Sequence, residues 1–513
     1  MGSDLFYCFS LFLFSIPISF GLCPDGQALL ALSKNLVLPS SIKSSWNSSD
    51  PNPCDWVGVE CDLHFNMVSF NLSQQGVSGK LGPEIGLLRH LQTVDLSNNE
   101  IAGSIPSELG NCTHLEYLDF SNNSLTGDIP NVLNFKRLSF LSLFTNALSG
   151  TIPASLFQNG HLETVYLNQN KLTGPIPASI GKLSSLKYLW LSENQLSGNV
   201  PDSIGNCTKL EELSLFDNQL TGAIPETLNN IKGLSYVDAN TNDFQGRIPL
   251  SSSSCGQLQM FILSFNRFKG EIPAWLGNCS NLTVFAVVSN QLSGLIPPSI
   301  SLLENLEILY LSQNSLSGPI PRLEGIIPRE LGQLSQSQKL SACLQNYFTV
   351  VSYLKGLGIN SSLVQIDFTN NNFVGGIPPN LCHGKQLEVL NLGYNLLEGN
   401  VPADVGNCSS LRRLILRNNK LSGSLPDFAE DSSLLYMDLR ENNLNGPLPP
   451  SVGNCVNVTM INLSSNKIKG SVPQEIGKLV NLHVLDLSSN RLYGQLPSQI
   501  SQCSKLDILN LSF

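Results

Sequence analysis

The sequence of 513 residues has few charged and few aromatic side chains, at 13% and 7% of the chain. Its basic residues form no run and the formal net charge is −10, which argues against nucleic acid as the main partner. The six histidines are scattered, and the HExxH, phosphate-binding-loop and serine-elbow patterns are absent. We therefore expect no catalytic residues, no metal site and no cofactor.

A long hydrophobic run is also missing after the first residues. Leu5–Phe20 is apolar, but it is short and interrupted by Pro17, so residues 1–22 are interpreted as a signal peptide cleaved near Gly21. No later run reaches the roughly 18–20 apolar residues of a transmembrane helix. The chain is expected to enter the secretory pathway and to be secreted, or to form the extracellular part of a longer membrane protein.

Sequons for N-glycosylation fit that compartment. Asn71 and Asn462 fall on predicted strands, where we expect little modification. Glycosylation is predicted at Asn47, Asn111, Asn122, Asn206, Asn278, Asn281, Asn360, Asn407 and Asn457.

What the sequence has in abundance is a repeat of 24 residues with the pattern LxxLxLxxNxLxGxIPxxLGxLxx. The alternate leucines point inward from a short strand, and the asparagine can bond backbone groups where the strand turns. One repeat cannot bury its own apolar face, so repeats must stack. The predicted fold is an α/β leucine-rich-repeat solenoid, a right-handed superhelix with a parallel β-sheet on its concave face and an N-terminal cap.

The cap is predicted at residues 23–62, where a short amphipathic helix precedes the motif PCDWVGVEC. Cys54 and Cys61 are expected to form a disulfide in an oxidising compartment. A second set of cysteines shares one position in the repeat and favours buried free thiols; it comprises Cys112, Cys207, Cys279, Cys408 and Cys455. Cys255 lies 24 residues before Cys279, so a disulfide between adjacent repeats is the alternative for that pair.

Repeats extend over residues 63–320 and 359–513, separated by a segment without the period at 321–358. We expect this segment to be irregular, as a damaged part of the array, and the solenoid to be disordered or bulged there. The sequence stops inside a strand at Leu509–Phe513, which predicts a truncated array.

The cap motif and the SGxIP and LGNC elements resemble the plant leucine-rich-repeat receptor-like kinases. More narrowly, Ile377–Pro402 and Leu411–Gly423 are similar to the receptors for plant Pep danger peptides. The resemblance covers residues 24–320 and 357–513. It implies the extracellular part of a plasma-membrane receptor in plant defence, a small secreted peptide as ligand, and a shorter co-receptor kinase as partner. It also implies a cytoplasmic kinase, but no GxGxxG, HRD or DFG motif occurs in this sequence.

The peptide would bind the concave face, formed by the residues between the leucines. Aromatic side chains occupy this face in five successive repeats and favour binding over mutual stacking. The predicted contacts here are Phe140, Phe144, Tyr166, Tyr188, Trp190, Phe216, Tyr236 and Asp238. Acidic residues on the same face, such as Asp119, Glu212 and Asp367, favour a peptide that is basic in its middle.

Further along, the same face carries Arg413, Arg417, Tyr436 and Arg440. Arg417 and Arg440 occupy equivalent positions in adjacent repeats, and two guanidinium groups that close repel each other unless an anion bridges them. A peptide C-terminal carboxylate would fit, and the resemblance implies such recognition by arginines. The alternative is that Asp438 and Glu441 neutralise the arginines.

A second function class uses the same repeat. A secreted inhibitor of microbial cell-wall enzymes, or a decoy that binds peptide without signalling, would also lack a catalytic domain. Such inhibitors are shorter, so the receptor interpretation is favoured.

Overall fold

The computed structural model describes residues 21–133, 135–319, 338–340, 347–350 and 363–512, so the predicted signal peptide lies almost wholly outside the described residues. The chain divides into two compact units, Met1–Asn146 and Ala147–Phe513. Each unit is a stack of repeats in which a main strand, formed by the LxxLxL segment, alternates with a short second strand. The leucine-rich-repeat solenoid fold is confirmed.

The first unit begins with the predicted cap. Its helix Pro24–Leu32 starts with a proline, whose missing N–H would have no partner in the first turn. A second helix, Ser40–Ser45, follows. The strand Val59–Cys61 pairs antiparallel with the first main strand, Met67–Asn71. Cys54 and Cys61 are joined by a disulfide, as predicted, with an S–S distance of 2.04 Å.

Among its described residues, the first unit has four main strands. They are Met67–Asn71, Thr93–Asp95, Tyr117–Asp119 and Phe140–Ser142. Its remaining short elements are the strands Leu36–Val37, Ser78–Lys80, Glu100–Gly103 and Ser124–Asp128 and the 3-10 helices Pro83–Leu87 and Ser107–Asn111.

The second unit continues the same alternation. Its main strands are Thr164–Tyr166, Tyr188–Trp190, Glu212–Ser214, Tyr236–Asp238, Met260–Ile262, Val284–Ala286, Ile308–Tyr310, Gln338–Leu340, Leu363–Asp367, Val389–Asn391, Arg413–Ile415, Tyr436–Asp438, Met460–Asn462, Val484–Asp486 and Ile508–Asn510. Its second strands are Ala147–Ser149, Thr173–Gly174, Gln195–Asn199, Gln219–Gly222, Asp243–Gly246, Arg267–Gly270, Gln291–Leu295, Ser315–Pro319, Tyr347–Val350, Val374–Gly375, Leu396–Gly399, Lys420–Gly423, Asn443–Leu444, Lys469–Gly470 and Arg491–Leu492. Its described helical turns are Ala154–Gln158, Ala178–Lys182, Asp202–Asn206, Glu226–Asn230, Ala274–Asn278, Pro298–Leu302, Ala403–Gly406, Pro450–Asn454, Gln474–Lys478 and Ser498–Gln502.

Main strands pair in parallel and in register, so equivalent residues of successive repeats are neighbours. Leu189 lies beside Leu213, and Leu213 beside Val237, and all three are buried. The residues between the leucines form the other face of the main sheet, which we call the open face. Since neighbouring strands are about 4.8 Å apart, side chains from consecutive repeats meet on this face.

The repeat asparagine holds each turn together. In the second unit Asn266 is buried, and its amide nitrogen donates to the carbonyl oxygens of Ala239, Leu263 and Ser264 at 2.9, 3.2 and 3.0 Å. Its amide oxygen accepts from the Phe244 N–H at 3.0 Å. One side chain thus bonds four backbone groups of the turn, as the sequence pattern predicts for the repeat asparagine.

The cysteines correct part of the sequence-based prediction. Cys112, Cys207 and Cys455 are free and buried, as expected. Cys279, however, is bonded to Cys255, which is the alternative considered for that pair. Cys408 is bonded to Cys382, a partner that the repeat position did not indicate. Both bonds join adjacent repeats, where stacking brings the cysteine Cα atoms within 6 Å.

The free thiols should differ in reactivity according to burial. Burial raises the pKa of Cys112 and Cys207 to about 12 and that of Cys455 to about 11, so almost no thiolate forms at pH 8. Cys23 is partly exposed. We expect iodoacetamide to label Cys23 in the native protein and the buried Cys112, Cys207, Cys455 and Cys503 only in guanidinium, as measured by peptide mass mapping. Native labelling of Cys112 at the rate of Cys23 would contradict the packing described.

Most of the predicted glycosylation sites are accessible. Asn122 is half-buried, Asn462 is buried, and Asn360 lies outside the described residues. The exposed ones are Asn47, Asn111, Asn206, Asn278, Asn281, Asn407 and Asn457.

The segment 321–358 was expected to be irregular. Most of this segment lies outside the described residues, so the structure does not test the expected disorder or bulge. The structure nevertheless places two strands within it: Gln338–Leu340 pairs with Leu363–Asp367, and Tyr347–Val350 pairs with Ser315–Pro319, each with a shift in register. The segment therefore contributes a main strand and a second strand to the array. Among the described residues, no helix has the length and apolar character needed to span a membrane.

Candidate functional site on the open face

The predicted contact residues all lie on the open face, but they are divided between the two units. Phe140 and Phe144 belong to the first unit and are half-buried. There Phe140 stacks on Tyr117, with ring centroids 4.4 Å apart. Mutual stacking, the alternative to binding, therefore covers part of the surface of both rings.

In the second unit the aromatic residues form a cluster around an acidic residue. Tyr166 and Trp190 are in contact, with ring centroids 4.9 Å apart and a tilt of 45°. The indole N–H of Trp190 donates to Glu212 at 3.1 Å, and the Tyr188 hydroxyl donates to Glu211 at 3.2 Å. The carboxylates thereby orient both rings while each ring remains half-exposed. We call Tyr166, Tyr188, Trp190, Glu212, Phe216, Tyr236 and Asp238 the aromatic–acidic cluster.

Asp238 lies at the base of this cluster and is only 6% exposed. Its oxygens accept bonds from the Tyr236 hydroxyl at 3.3 Å and from the Asn240 side chain at 2.7 Å. Burial raises the pKa of Asp238, and burial together with the charge of Asp238 raises that of Tyr236. Asp238 therefore accepts bonds from its neighbours on the open face, and its contact with a peptide stays a prediction.

The arginines form a second group, which we call the arginine cluster: Arg413, Arg417, Tyr436, Asp438 and Arg440. Asp438 is completely buried and lies between two of them. Its carboxylate is 3.3 Å from Nη1 of Arg417 and 3.9 Å from Nε of Arg440. The alternative considered from sequence, neutralisation by Asp438, is therefore correct for this residue. Glu441 instead accepts a bond from Asn418 at 2.6 Å.

One carboxylate nevertheless faces two guanidinium groups, which remain 30% and 31% exposed. The Nε atoms of Arg417 and Arg440 are buried and have no hydrogen-bond partner among the described residues. Burial lowers the pKa of Arg440, whereas Asp438, Tyr394 and Glu441 raise it, and the net result is a rise. The exposed parts of the guanidinium groups carry N–H donors, which suit a carboxylate ligand.

Sequence reasoning missed Tyr394 in this cluster. Its ring lies 5.1 Å from the Arg417 guanidinium carbon, just as the Tyr436 ring lies 5.4 Å from that of Arg413. Tyr394 comes immediately before the repeat asparagine Asn395, outside the strand positions that define the open face. An aromatic residue in that turn position next to an open-face arginine is the signal that could have identified it.

Comparison with protein families assigns most of the chain to leucine-rich repeats. The model "Leucine rich repeat N-terminal domain" matches residues 23–62. Models of the repeat itself match residues 89–131, 160–220, 257–279, 305–334, 362–383, 386–408, 410–431, 433–455, 457–479 and 481–503.

Solved structures of plant receptors are similar over nearly the whole chain. The PEPR1–AtPEP1 crystal structure is 41% identical, covers 95% of this chain and 78% of the other, and superposes with a TM-score of 0.66. The ectodomain of the Arabidopsis receptor kinase HAESA, in complex with an IDA peptide hormone, is 29% identical with a TM-score of 0.67, over 95% of this chain and 93% of the other. Among curated sequences, PEPR1 of Arabidopsis thaliana is 43% identical over 88 residues. That match covers 17% of this chain and 8% of the full-length kinase, so the chain matches only a small part of the curated relative.

Proposed function

The chain belongs to the leucine-rich-repeat ectodomains of plant receptor-like kinases, and we propose that it binds a small secreted peptide along its open face at the cell surface. In this proposal the peptide is of the Pep type and the response is plant defence. Similarity to PEPR1, whose structure contains AtPEP1, supports the ligand class. Similarity to the HAESA–IDA–SERK1 structure supports a shorter leucine-rich-repeat co-receptor as a further partner.

The observation that carries the proposal is the unequal charge of the arginine cluster. Arg417 and Arg440 share the single buried carboxylate of Asp438, and Arg413 is exposed beside them. Three guanidinium groups outnumber the nearby carboxylates of Asp438 and Glu441 and so attract an anion, and paired guanidinium donors suit the planar C-terminal carboxylate of a peptide. The peptide would lie across the parallel strands with its C-terminus at this cluster.

Replacing Arg417 with alanine tests this assignment. A hydrogen bond to a charged group is worth about 1.5–3 kcal/mol, so we expect AtPEP1 to bind Arg417→Ala about tenfold or more weakly. The measurement is isothermal titration calorimetry on the secreted, glycosylated chain.

The matched control is Arg267→Ala. Arg267 is an exposed arginine on a second strand and pairs with Asp243 at 2.7 Å, away from the open face. We expect this variant to bind AtPEP1 like the wild type. Equal weakening in both variants would show that the arginine cluster is not the ligand site.

A further inference from the structure

Tyr394 occupies a turn position that is polar in most repeats. It directly precedes the repeat asparagine Asn395 and has a φ of 53°, and its equivalents in the other described repeats also have a positive φ. Among the described repeats, two carry an aromatic residue here, Phe265 and Tyr394, and these are 54% and 40% exposed. Since the same turn forms with polar residues, the backbone gives no reason for an aromatic ring at Tyr394.

The ring of Tyr394 lies against the guanidinium group of Arg417. The guanidinium carbon is 5.1 Å from the ring centroid, within the distance of about 6 Å at which an aromatic face attracts a cation. The Tyr394 N–H donates to the Arg417 carbonyl oxygen at 2.8 Å, so the backbones of the two repeats hold the turn beside the arginine. Burial lowers the pKa of Arg440, and Tyr394 is among the groups that raise it, so Tyr394 is close to both arginines.

A glycine leaves room for the Arg417 side chain. Gly393 occupies, in the preceding repeat, the open-face position that Arg417 occupies in its own. A Cβ atom at Gly393 would lie 3.3 Å from Cγ of Arg417, which is closer than an ordinary contact. The φ of Gly393 is not in the left-handed region, so the backbone itself does not require glycine. A side chain at this position would crowd Arg417, and its absence lets the arginine lie beside Tyr394.

Arg417 is held on two sides and retains unbonded donors. Its Nη1 atom is 3.3 Å from the carboxylate of Asp438, and the ring of Tyr394 lies against the guanidinium face. Its Nε atom has no hydrogen-bond partner among the described residues. A long side chain that is already held in place loses less conformational entropy when a ligand binds. Contact with the ring therefore prepares Arg417 for an anionic group.

We infer that Tyr394 is a positioning residue for ligand binding, whose ring fixes the guanidinium group of Arg417 for the C-terminal carboxylate of the peptide. This inference rests on the proposed function, which supplies the carboxylate and its contact with the arginine cluster. It adds that affinity for the peptide end depends on a residue that acts through Arg417.

Tyr394→Leu tests this role, because leucine keeps an apolar side chain and removes the aromatic face. The attraction between an aromatic ring and a partly exposed cation corresponds to about fivefold in affinity, so we expect AtPEP1 to bind this variant about fivefold more weakly in calorimetry. Tyr394→Phe keeps the ring and is expected to bind AtPEP1 like the wild type. Equal weakening in Tyr394→Phe would overturn the role of the ring.

The matched control is Phe265→Leu. This change removes an exposed ring from the same turn position, in a repeat several strands before the arginine cluster. We expect Phe265→Leu to bind AtPEP1 like the wild type. A fivefold loss in this variant as well would show that the effect is not specific to the ring beside Arg417.

A double-mutant cycle with Arg417→Ala separates positioning from direct contact between Tyr394 and the peptide. If Tyr394 acts through Arg417, adding Tyr394→Leu to Arg417→Ala causes no further loss of affinity. A fivefold loss in both backgrounds, or wild-type affinity of Tyr394→Leu alone, would overturn the inference. The proposed function would stand in either case, provided that Arg417→Ala alone remains weakened.

If AtPEP1 does not bind the wild type, the proposed ligand fails and chemical modification still tests the contact. Phenylglyoxal modifies guanidinium groups, and peptide mass mapping gives the rate at each arginine. We expect Tyr394→Leu, but not Tyr394→Phe, to raise the rate at Arg417 about fivefold and to leave that of the exposed Arg412 unchanged. An unchanged rate at Arg417 in Tyr394→Leu would overturn the inference.

Discussion

Asp438→Asn is expected to lower the free energy of unfolding by about 3 kcal/mol, because breaking a buried ion pair leaves uncompensated charge. Asp438 has no exposed area and contacts both Arg417 and Arg440, whose guanidinium groups would then face each other without a counter-charge. The partial exposure of the arginines limits the loss, since water screens part of their repulsion. The measurement is guanidinium unfolding, with hydrogen exchange of strand Tyr436–Asp438 locating the weakened region.

Asp486→Asn is the matched control for this change. Asp486 occupies the equivalent position two main strands further on, where it accepts bonds from the N–H and hydroxyl of Ser488 at 3.0 and 2.6 Å. It has no arginine partner among the described ion pairs. A similar loss of stability in both variants would show that the ion pair is not the cause.

Asn266→Ala is expected to lower the free energy of unfolding by a similar amount, about 3 kcal/mol. The substitution removes the acceptor of the Phe244 N–H and the donor to three carbonyl oxygens, all in the interior of the repeat. An unsatisfied buried group costs about 1–3 kcal/mol, and the loss falls mainly on the Phe244 N–H, because the three carbonyl oxygens also accept bonds from Asn242, Asn290 and Thr241. Thermal unfolding followed by circular dichroism measures the loss.

Asn305→Ala serves as the control for the asparagine ladder. Asn305 is exposed and makes a single side-chain bond in the structure, to the carbonyl oxygen of Ser280 at 2.8 Å. We expect its replacement to change stability by less than about 1 kcal/mol. If Asn266→Ala were equally mild, the ladder would not hold the repeats together as described.

The repeat pattern was enough to predict the fold, because each position of the repeat has one structural role. Asn266 is an example: its spacing alone placed it at the turn, and the structure shows it bonded there. The disulfide between Cys54 and Cys61 was predictable for a similar reason, since the two cysteines close a short local loop.

Contacts that break the period were not predictable. Cys382 lies 26 residues before Cys408 rather than 24, so equivalence of repeat positions does not pair them. Cys255 and Cys279 are 24 residues apart, and for them the same reasoning identified the bond as an alternative. Stacked repeats can bring together two cysteines whose positions in the turn differ by two residues. A strict period of 24 residues pairs only equivalent positions.

The candidate site was predicted only in outline. Alternation along the strand placed Trp190 and Arg417 on the open face, but it could not show which carboxylates they contact. That Asp438 is buried between two arginines, and that Trp190 donates to Glu212, depends on side-chain packing across neighbouring strands. Such packing depends on how several repeats are aligned with one another, and the sequence of a single repeat does not specify it.

Calorimetric titration of the secreted, glycosylated chain with three forms of AtPEP1 tests the central claim most directly: the intact peptide, the peptide without its last residue, and the peptide with a C-terminal carboxamide. We predict micromolar or tighter binding of the intact peptide, and a loss of about tenfold or more for each altered form, because truncation moves the carboxylate one residue away from the arginine cluster and amidation removes its charge. Equal affinity for all three forms, or no binding of the intact peptide by folded protein, would contradict recognition of the peptide end by these arginines.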